Sequence, residues 1–226
     1  MNDTTTWSAL QVNSESERLI TALRYAGIMP RPRTHDENLR LKLLDRAGEL
    51  ISADGPKALS LRKLAADVGT STTAVYSLFG GKTDLVSALF TEGFRRFGRR
   101  MSGVTLSGDP VEDLVRLGVA YRESALADPH LYAIMFTKSV PGFEPADETA
   151  GQARATMAPL EETIRKAVAD GAFLDVPPEV IAVSCWGIVH GLVSLELNGN
   201  LPDEFTVSAA YEAALRANAS GWLRRV

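Results

Sequence analysis

Residues 60–82 read Ser60-Leu61-Arg62-Lys63-Leu64-Ala65-Ala66-Asp67-Val68-Gly69-Thr70-Ser71-Thr72-Thr73-Ala74-Val75-Tyr76-Ser77-Leu78-Phe79-Gly80-Gly81-Lys82, and this stretch decides the fold. Two short helices joined by a tight turn need a small residue where they touch, a residue able to turn left-handed, and an aliphatic plug on the second helix. Ala65, Gly69 and Val75 stand at the required spacings. Ser60 and Ser71 are N-cap residues for the two helices, and Leu61, Leu64, Val68 and Phe79 give each an apolar face. The pattern predicts a helix-turn-helix, against the alternative of an ordinary helical hairpin whose serines merely cap.

The elements on either side are helical too. Residues 37–53 carry Leu41, Leu44, Gly48 and Ile51 on one stripe and stop at Asp54-Gly55-Pro56. A longer helix runs from about Lys82 to Met101 and ends in Arg95, Arg96, Arg99 and Arg100, which suit the negative end of a helix dipole. Beyond Ser102–Gly108 the spacing predicts helices at about 109–127, 129–137, 145–171, 177–198 and 203–225, punctuated by Asp128-Pro129, Pro141-Gly142, Gly171 and Pro177-Pro178. Alternating β-branched runs are almost absent. The expected fold class is all-α: an N-terminal three-helix helix-turn-helix domain plus a C-terminal helical domain. The expected domains are an N-terminal extension, 1–36, a helix-turn-helix domain, 37–101, and a C-terminal domain, 102–226. Ser14–Ala26 in the extension is a candidate amphipathic helix, followed by the helix-breaking Pro30-Arg31-Pro32-Arg33.

The composition narrows the function. The 226 residues have a formal net charge of −4. Residues 1–100 hold 15 Lys+Arg against 11 Asp+Glu, whereas residues 101–226 hold 9 against 17. A basic head on an acidic body fits a small nucleic-acid-binding module fused to a non-binding domain, although charges also scatter unevenly by chance. The one cysteine, Cys185, cannot form an internal disulfide, and no signal-like start is present, so a cytoplasmic protein is expected. The apolar stretch Val180–Leu195 contains His190 and, at 16 residues, falls short of the ~18 of a membrane span, so it reads as a buried helix.

Leu61-Arg62-Lys63-Leu64-Ala65, Val68-Gly69, Thr73-Ala74-Val75-Tyr76-Ser77-Leu78-Phe79 and Lys82-Thr83-Asp84-Leu85 make residues 38–100 resemble the DNA-binding domain of the TetR family of bacterial transcriptional repressors. The resemblance implies base contacts by Thr72 and Thr73 and phosphate contacts by Tyr76 and Lys82. Leu78 departs from it, because the family often has histidine there. The residues speak for themselves as well. Ser71, Thr72, Thr73 and Ser77 present short hydroxyls at the helix end that such a motif inserts into the major groove. Lys82 starts a helix, where backbone N–H groups and an ammonium together favour phosphate. Arg62 is a phosphate candidate ahead of Lys63, with a merely solvated charge as the alternative, and Tyr76 is a contact or a core residue. Arg31 and Arg33 could form an arm toward the minor groove, or have no DNA role.

The family resemblance further implies a C-terminal domain that dimerises and holds a small-molecule pocket. Trp186-Gly187-Ile188-Val189-His190-Gly191 is similar to the Trp-His-Gly signature of one C-terminal subfamily. The helix at 177–198 is apolar nearly all round, with Ile181, Cys185, Ile188, Leu192 and Leu195 on one face and Val183, Trp186, Val189, His190, Val193 and Leu197 on another. With the small-residue faces of 203–225, it is expected to form a homodimer contact. Phe94, Phe97, Tyr121, Tyr132, Met135, Phe136, Met157 and Trp186 are candidates to enclose an apolar or aromatic effector, with plain core packing as the leading alternative for each taken singly. His190 is a core or interface histidine or a ligand contact.

The expected function is a ligand-responsive DNA-binding regulator, a repressor that binds a palindromic double-stranded operator as a homodimer and is released by a small apolar effector. No enzyme is expected, and no cofactor, metal or membrane partner. A Cys185–His190 dyad is disfavoured because five helical residues set the side chains about 140° apart. His35, His130 and His190 lie on separate elements. Gly81-Lys82-Thr83 lacks the upstream glycine of a phosphate loop, since Tyr76 stands there.

Overall fold

The computed structural model describes residues 33–136, 140–202 and 207–225. The candidate helix Ser14–Ala26 and Arg31 lie outside the described residues. Contacts divide the chain into two compact units, Met1–Leu43 and Leu44–Val226. Of the first, the described part is the opening of helix α1, Arg33–Asp54, where Glu37 and Arg40 form an ion pair at 3.8 Å.

The chain is all-α. After α1 come a 3₁₀ turn, Pro56–Ala58, and the helices α2, Leu61–Val68, α3, Thr72–Phe79, and α4, Lys82–Ser102. They are followed by α5, Pro110–Ala127, α6, Pro129–Phe136, α7, Asp147–Ala155, α8, Ala158–Ala169, α9, Pro178–Leu197, and α10, Val207–Ser220. No strand forms among the described residues. An isolated bridge joins Phe173 to Leu223, so the C-terminal segment is pinned back on the end of the α8–α9 connection.

The helix-turn-helix forms as its residues demand. Ser60 Oγ accepts from Lys63 N at 3.4 Å and Ser71 Oγ from Ala74 N at 3.1 Å. Gly69 takes φ 73°, ψ 36°, and the N–H groups of Gly69 and Thr70 close the end of α2 on Ala66 O and Ala65 O. Leu64, Ala65, Val75 and Phe79 are buried.

Three expectations are corrected. The helix expected from Glu37 begins at Arg33, directly after Pro32, a position proline tolerates. The single helix expected over 145–171 is two, α7 and α8, broken at Thr156–Met157. Pro159 explains the break, because its ring would clash with the carbonyl four residues back in a continuous helix and it has no N–H to donate. On α9 the buried stripe is Ile181, Cys185, Val189 and Val193, with Ala182 beside it, so residues of both expected faces share one face. A helix apolar all round has no polar side to fix its rotation, and its partners decide. One of them is Gly118 of α5, where a Cβ would collide with Leu215 and press on Val189.

Glycines also seat α6. A Cβ on Gly48 of α1 would run into the His130 ring, and one on Gly93 of α4 into Met135. The Tyr211 hydroxyl donates to Gly118 O at 2.9 Å, which fixes α10 on α5. Asp113, buried, accepts from Ser107 N, Ser107 Oγ and Gly108 N at 2.6, 2.7 and 2.9 Å and holds the α4–α5 connection.

Candidate functional site

The front of α3 is a hydroxyl-bearing surface. Thr72, Thr73, Tyr76 and Ser77 are exposed while Val75 and Phe79 face inward, the split that a two-turn helix with an i, i+4 apolar pair enforces. Tyr76, at 56% exposure, is a surface residue, so of its two readings the core one falls. The Ser71 hydroxyl is engaged as the α3 cap. Arg62 and Lys63 are exposed on the first turn of α2. Lys82 is exposed at the start of α4, and its Nζ donates to Pro56 O at 2.9 Å, leaving two ammonium protons for another acceptor. Lys57, exposed beside that carbonyl, adds a positive charge that the sequence reading passed over. Its signal was a basic residue directly after Gly55-Pro56.

The arginines at the end of α4 do something other than cap it. Glu92, 2% exposed, accepts from Arg95 at two 2.6 Å contacts and from Arg96 at 2.7 Å. Arg96 also meets Asp45 of α1 and Asp128, the C-cap of α5, each at 2.8 Å, and Arg100 meets Asp128 at 2.6 Å. Burial opposes ionisation of Glu92 and Asp128, but the guanidinium hydrogen bonds outweigh it and hold both carboxyls below their ordinary values. Arg99 and Arg100 alone occupy the last turn, as the dipole argument requires. The network ties α1, α4 and the α5–α6 junction together.

Beyond it lies an aromatic cluster. Phe97 meets Tyr121 edge-on with centroids at 5.2 Å, Phe94 meets Phe136 at 5.6 Å, and Phe136 lies 5.0 Å from Tyr132 and 5.2 Å from His190. Trp186 completes it at 5.8 Å from His190. The Tyr132 and Tyr121 hydroxyls stand 2.8 and 3.0 Å from His190 Nδ1 and 3.4 Å from each other. A neutral imidazole nitrogen has one lone pair, so one phenol donates to it and the other turns to its neighbour's oxygen. Burial pushes both phenols up and the imidazole down, and all three are uncharged at neutral pH.

Against this cluster sits a small cavity of about 30 Å³. Of the predicted liners, Phe97, Tyr121, Met157 and Trp186 reach it, together with Met101, Leu114, Leu117, Gly118, Thr156, Leu160, Cys185 and Val189. Tyr132 and Met135 lie behind Phe97 around a smaller void, Phe94 faces a surface recess with Arg95 and Arg99, and Phe136 and His190 stay within the ring cluster. The missed aliphatic liners had a signal, the Leu114–Leu117–Gly118–Tyr121 stripe on α5, which attention to aromatics obscured. Cys185 Sγ donates to Asn218 Oδ1 at 3.4 Å, and burial pushes the thiol up to about 11. Cys185 and His190 therefore serve different partners. Arg122 makes a two-point ion pair with Glu196 at 2.7 and 2.6 Å, its guanidinium 5.6 Å from the Tyr211 ring centroid. Glu123 is exposed.

The outer side of α9 exposes Val180, Val183, Trp186 and Leu195, and α10 exposes Ala213 and Ala217. Asn218 Nδ2 donates to Ser184 Oγ at 3.0 Å and joins the two helices. With 20 residues, α9 is longer than the 16-residue apolar stretch read within it and is long and apolar enough to cross a membrane. Its buried stripe packs instead on the helical core, and Glu179, His190 and Glu196 interrupt it. Among the described residues no three His, Cys, Asp or Glu side chains come together as a metal site.

Residues 43–89 match the family described as bacterial regulatory proteins, tetR family, and residues 114–218 match the tetracyclin repressor-like C-terminal domain. The HTH-type transcriptional regulator Rv1816 of Mycobacterium tuberculosis is 24% identical over 139 residues, covering 60% of this chain and 59% of that protein. The chain thus matches well under two thirds of that relative's length. The solved structure of regulatory protein SCO4313 is 30% identical, with a TM-score of 0.70, over 85% of this chain and 100% of the other. A protein of unknown function from Rhodococcus sp. RHA1 is 28% identical, with a TM-score of 0.71, over 82% and 96%.

Proposed function

The chain belongs to the tetR family of bacterial regulatory proteins, and on that premise we propose that it is a homodimeric repressor released from a palindromic operator by a small apolar effector. It acts in the cytoplasm and uses residues 37–101 to bind DNA and residues 102–226 to dimerise and hold the effector. Thr72 and Thr73 read base edges in the major groove, and Arg62, Ser71, Tyr76, Ser77 and Lys82 position the motif on the backbone. The exposed faces of α9 and α10 pair with their copies around a two-fold axis. This sets the two recognition helices about 34–36 Å apart, one helical turn of DNA.

The observation that carries this reading is the reach of α4. Its first residue, Lys82, follows the C-terminal end of α3, and its fifth and sixth turns deliver Phe97 and Met101 to the cavity wall. Twenty-one residues of helix span about 30 Å, so one rigid element has an end in each place. An effector releases DNA only by favouring the protomer arrangement whose spacing no longer fits. The test is selection from a duplex oligonucleotide library at two salt concentrations. The expected result is one palindromic site whose affinity falls steeply with salt, by several powers of the ion concentration. Salt-insensitive binding, or no enriched palindrome, overturns the repressor reading.

A further inference from the structure

We propose that α3 selects its operator by the 5-methyl groups of thymines, which Thr72 and Thr73 meet with their own methyl groups, and that hydrogen bonds to base edges contribute little to the choice of sequence. This deepens the DNA-binding reading and rests on it.

The side chains missing from α3 are as telling as those it exposes. In the major groove, guanine, adenine and thymine present acceptors, adenine and cytosine present amino donors, and thymine presents a methyl group. Guanine is singled out by arginine or lysine, adenine by asparagine or glutamine, and cytosine by an acidic side chain. From Ser71 to Gly81 the chain has none of these residues. The exposed side chains at the front of α3 are instead Thr72, Thr73, Tyr76 and Ser77. A hydroxyl donates or accepts with equal ease, so it suits either kind of base edge and discriminates poorly. What remains to be read is the thymine methyl, and an apolar contact is what reads it.

The local structure presents the threonine methyls for that contact. Ser71 Oγ accepts from Ala74 N at 3.1 Å and caps the helix by itself, so Thr72 and Thr73, the first two helical residues, are not engaged in capping. Val75 and Phe79 are buried, which turns the opposite side of this two-turn helix outward. Tyr76 lies one turn beyond Thr72 and Ser77 one turn beyond Thr73, so the methyls and the 56% exposed tyrosine ring share the outer surface. Positive charge comes from the segments beside it, from Lys57 on the 3₁₀ turn, Arg62 and Lys63 on α2 and Lys82 on α4, all of them exposed. Grip on the backbone and choice of sequence thus fall to separate segments.

The experiment uses the full-length protein and the palindrome enriched from the duplex library, resynthesised with deoxyuridine for thymidine at one base step per half-site or throughout. Uracil pairs as thymine does and lacks only the methyl. Taking one methyl out of water favours binding about fourfold, and a palindrome repeats each contact, so the swap opposite either threonine should weaken binding roughly fifteenfold. Swaps at other steps should leave affinity unchanged. Thr72→Ser and Thr73→Ser keep the hydroxyl and remove the methyl, so each should bind thymine and uracil alike at its own step. Thr73→Val, which loses the hydroxyl and keeps the methyl, should retain the preference. An enriched palindrome that lacks thymine, or that binds as tightly with uracil throughout, overturns the thymine contact. A thymine preference that survives in both serine variants overturns it too, because the methyl then acts through the shape of the duplex. In both cases the DNA-binding reading stands. If no salt-sensitive palindrome is enriched, that reading falls and takes the thymine contact with it.

Discussion

Replacing Arg96 with methionine tests the network that joins α1, α4 and the α5–α6 junction. The Arg96 side chain is 16% exposed and meets Glu92, Asp128 and Asp45, whose side chains are 2%, 12% and 43% exposed. Removing one partner of a buried ion pair costs about 3–5 kcal/mol, because the other charge is left in a poor solvent. Here Glu92 keeps Arg95 and Asp128 keeps Arg100, which places the cost at the low end, about 3 kcal/mol. Asp45 rehydrates and adds about 0–1 kcal/mol. Glu92→Gln keeps an acceptor for the guanidiniums and leaves Arg96 its two aspartates, so it should cost less, about 1–2 kcal/mol. Urea unfolding at pH 7.5 reads both. With a slope of about 2 kcal/mol per molar, Arg96→Met should lower the midpoint by about 1.5 M. Most of that loss should survive in 1 M NaCl, because buried pairs are little screened. A drop below about 0.5 M, or a larger cost for Glu92→Gln, refutes the assignment of Arg96 as the shared cation.

Other consequences are equally open to measurement. Lys82→Ala should weaken binding to all duplexes alike and shallow the salt slope by about one, and a loss confined to one sequence would contradict its phosphate role. Because the same ammonium holds Pro56 O, that variant should also lose about 1 kcal/mol of stability, seen as a lower urea midpoint. Thr73→Ala should relax selectivity at one base step, and an unaltered preference profile would remove it from the readout surface. Gly69→Ala puts a Cβ at φ 73° and should cost about 1–2 kcal/mol in thermal or urea unfolding, with Gly69→Asn milder. Burial holds the His190 imidazole below its ordinary value of 6.5, so the unfolded chain takes up a proton that the folded one resists. His190 therefore favours folding fully above 6.5 and loses that contribution as the pH falls from 6.5 to its folded value. His190→Gln should flatten this part of a stability–pH curve between pH 7.5 and 5.5, and an unchanged slope would count against a neutral buried ring.

The helix-turn-helix was legible because every determinant is local. Ser60, Gly69 and Ser71 act within a few residues of themselves, and Val75 and Phe79 declare the inward face by spacing alone. The cavity was half legible, since Phe97, Tyr121, Met157 and Trp186 stand out as large side chains, while Leu114, Leu117 and Val189 look like any core residue. The rotation of α9 was illegible, because an all-apolar helix takes its orientation from shapes elsewhere, Gly118 among them. The roles of Arg95 and Arg96 were misread for the same reason. A basic run at a helix end satisfies the dipole argument, and nothing within α4 discloses that Asp45 and Asp128 come from two other segments.

The seat of α6 on α1 is made by subtraction: an imidazole rests where Gly48 offers only backbone. Such a joint has a hard floor, since the His130 ring already lies against the main chain of α1. Motion of α6 toward α1 is blocked, and motion along it meets no interlocking side chain at that point. Whatever happens among the rings around Tyr132 can therefore pass to α1 as sliding and not as compression.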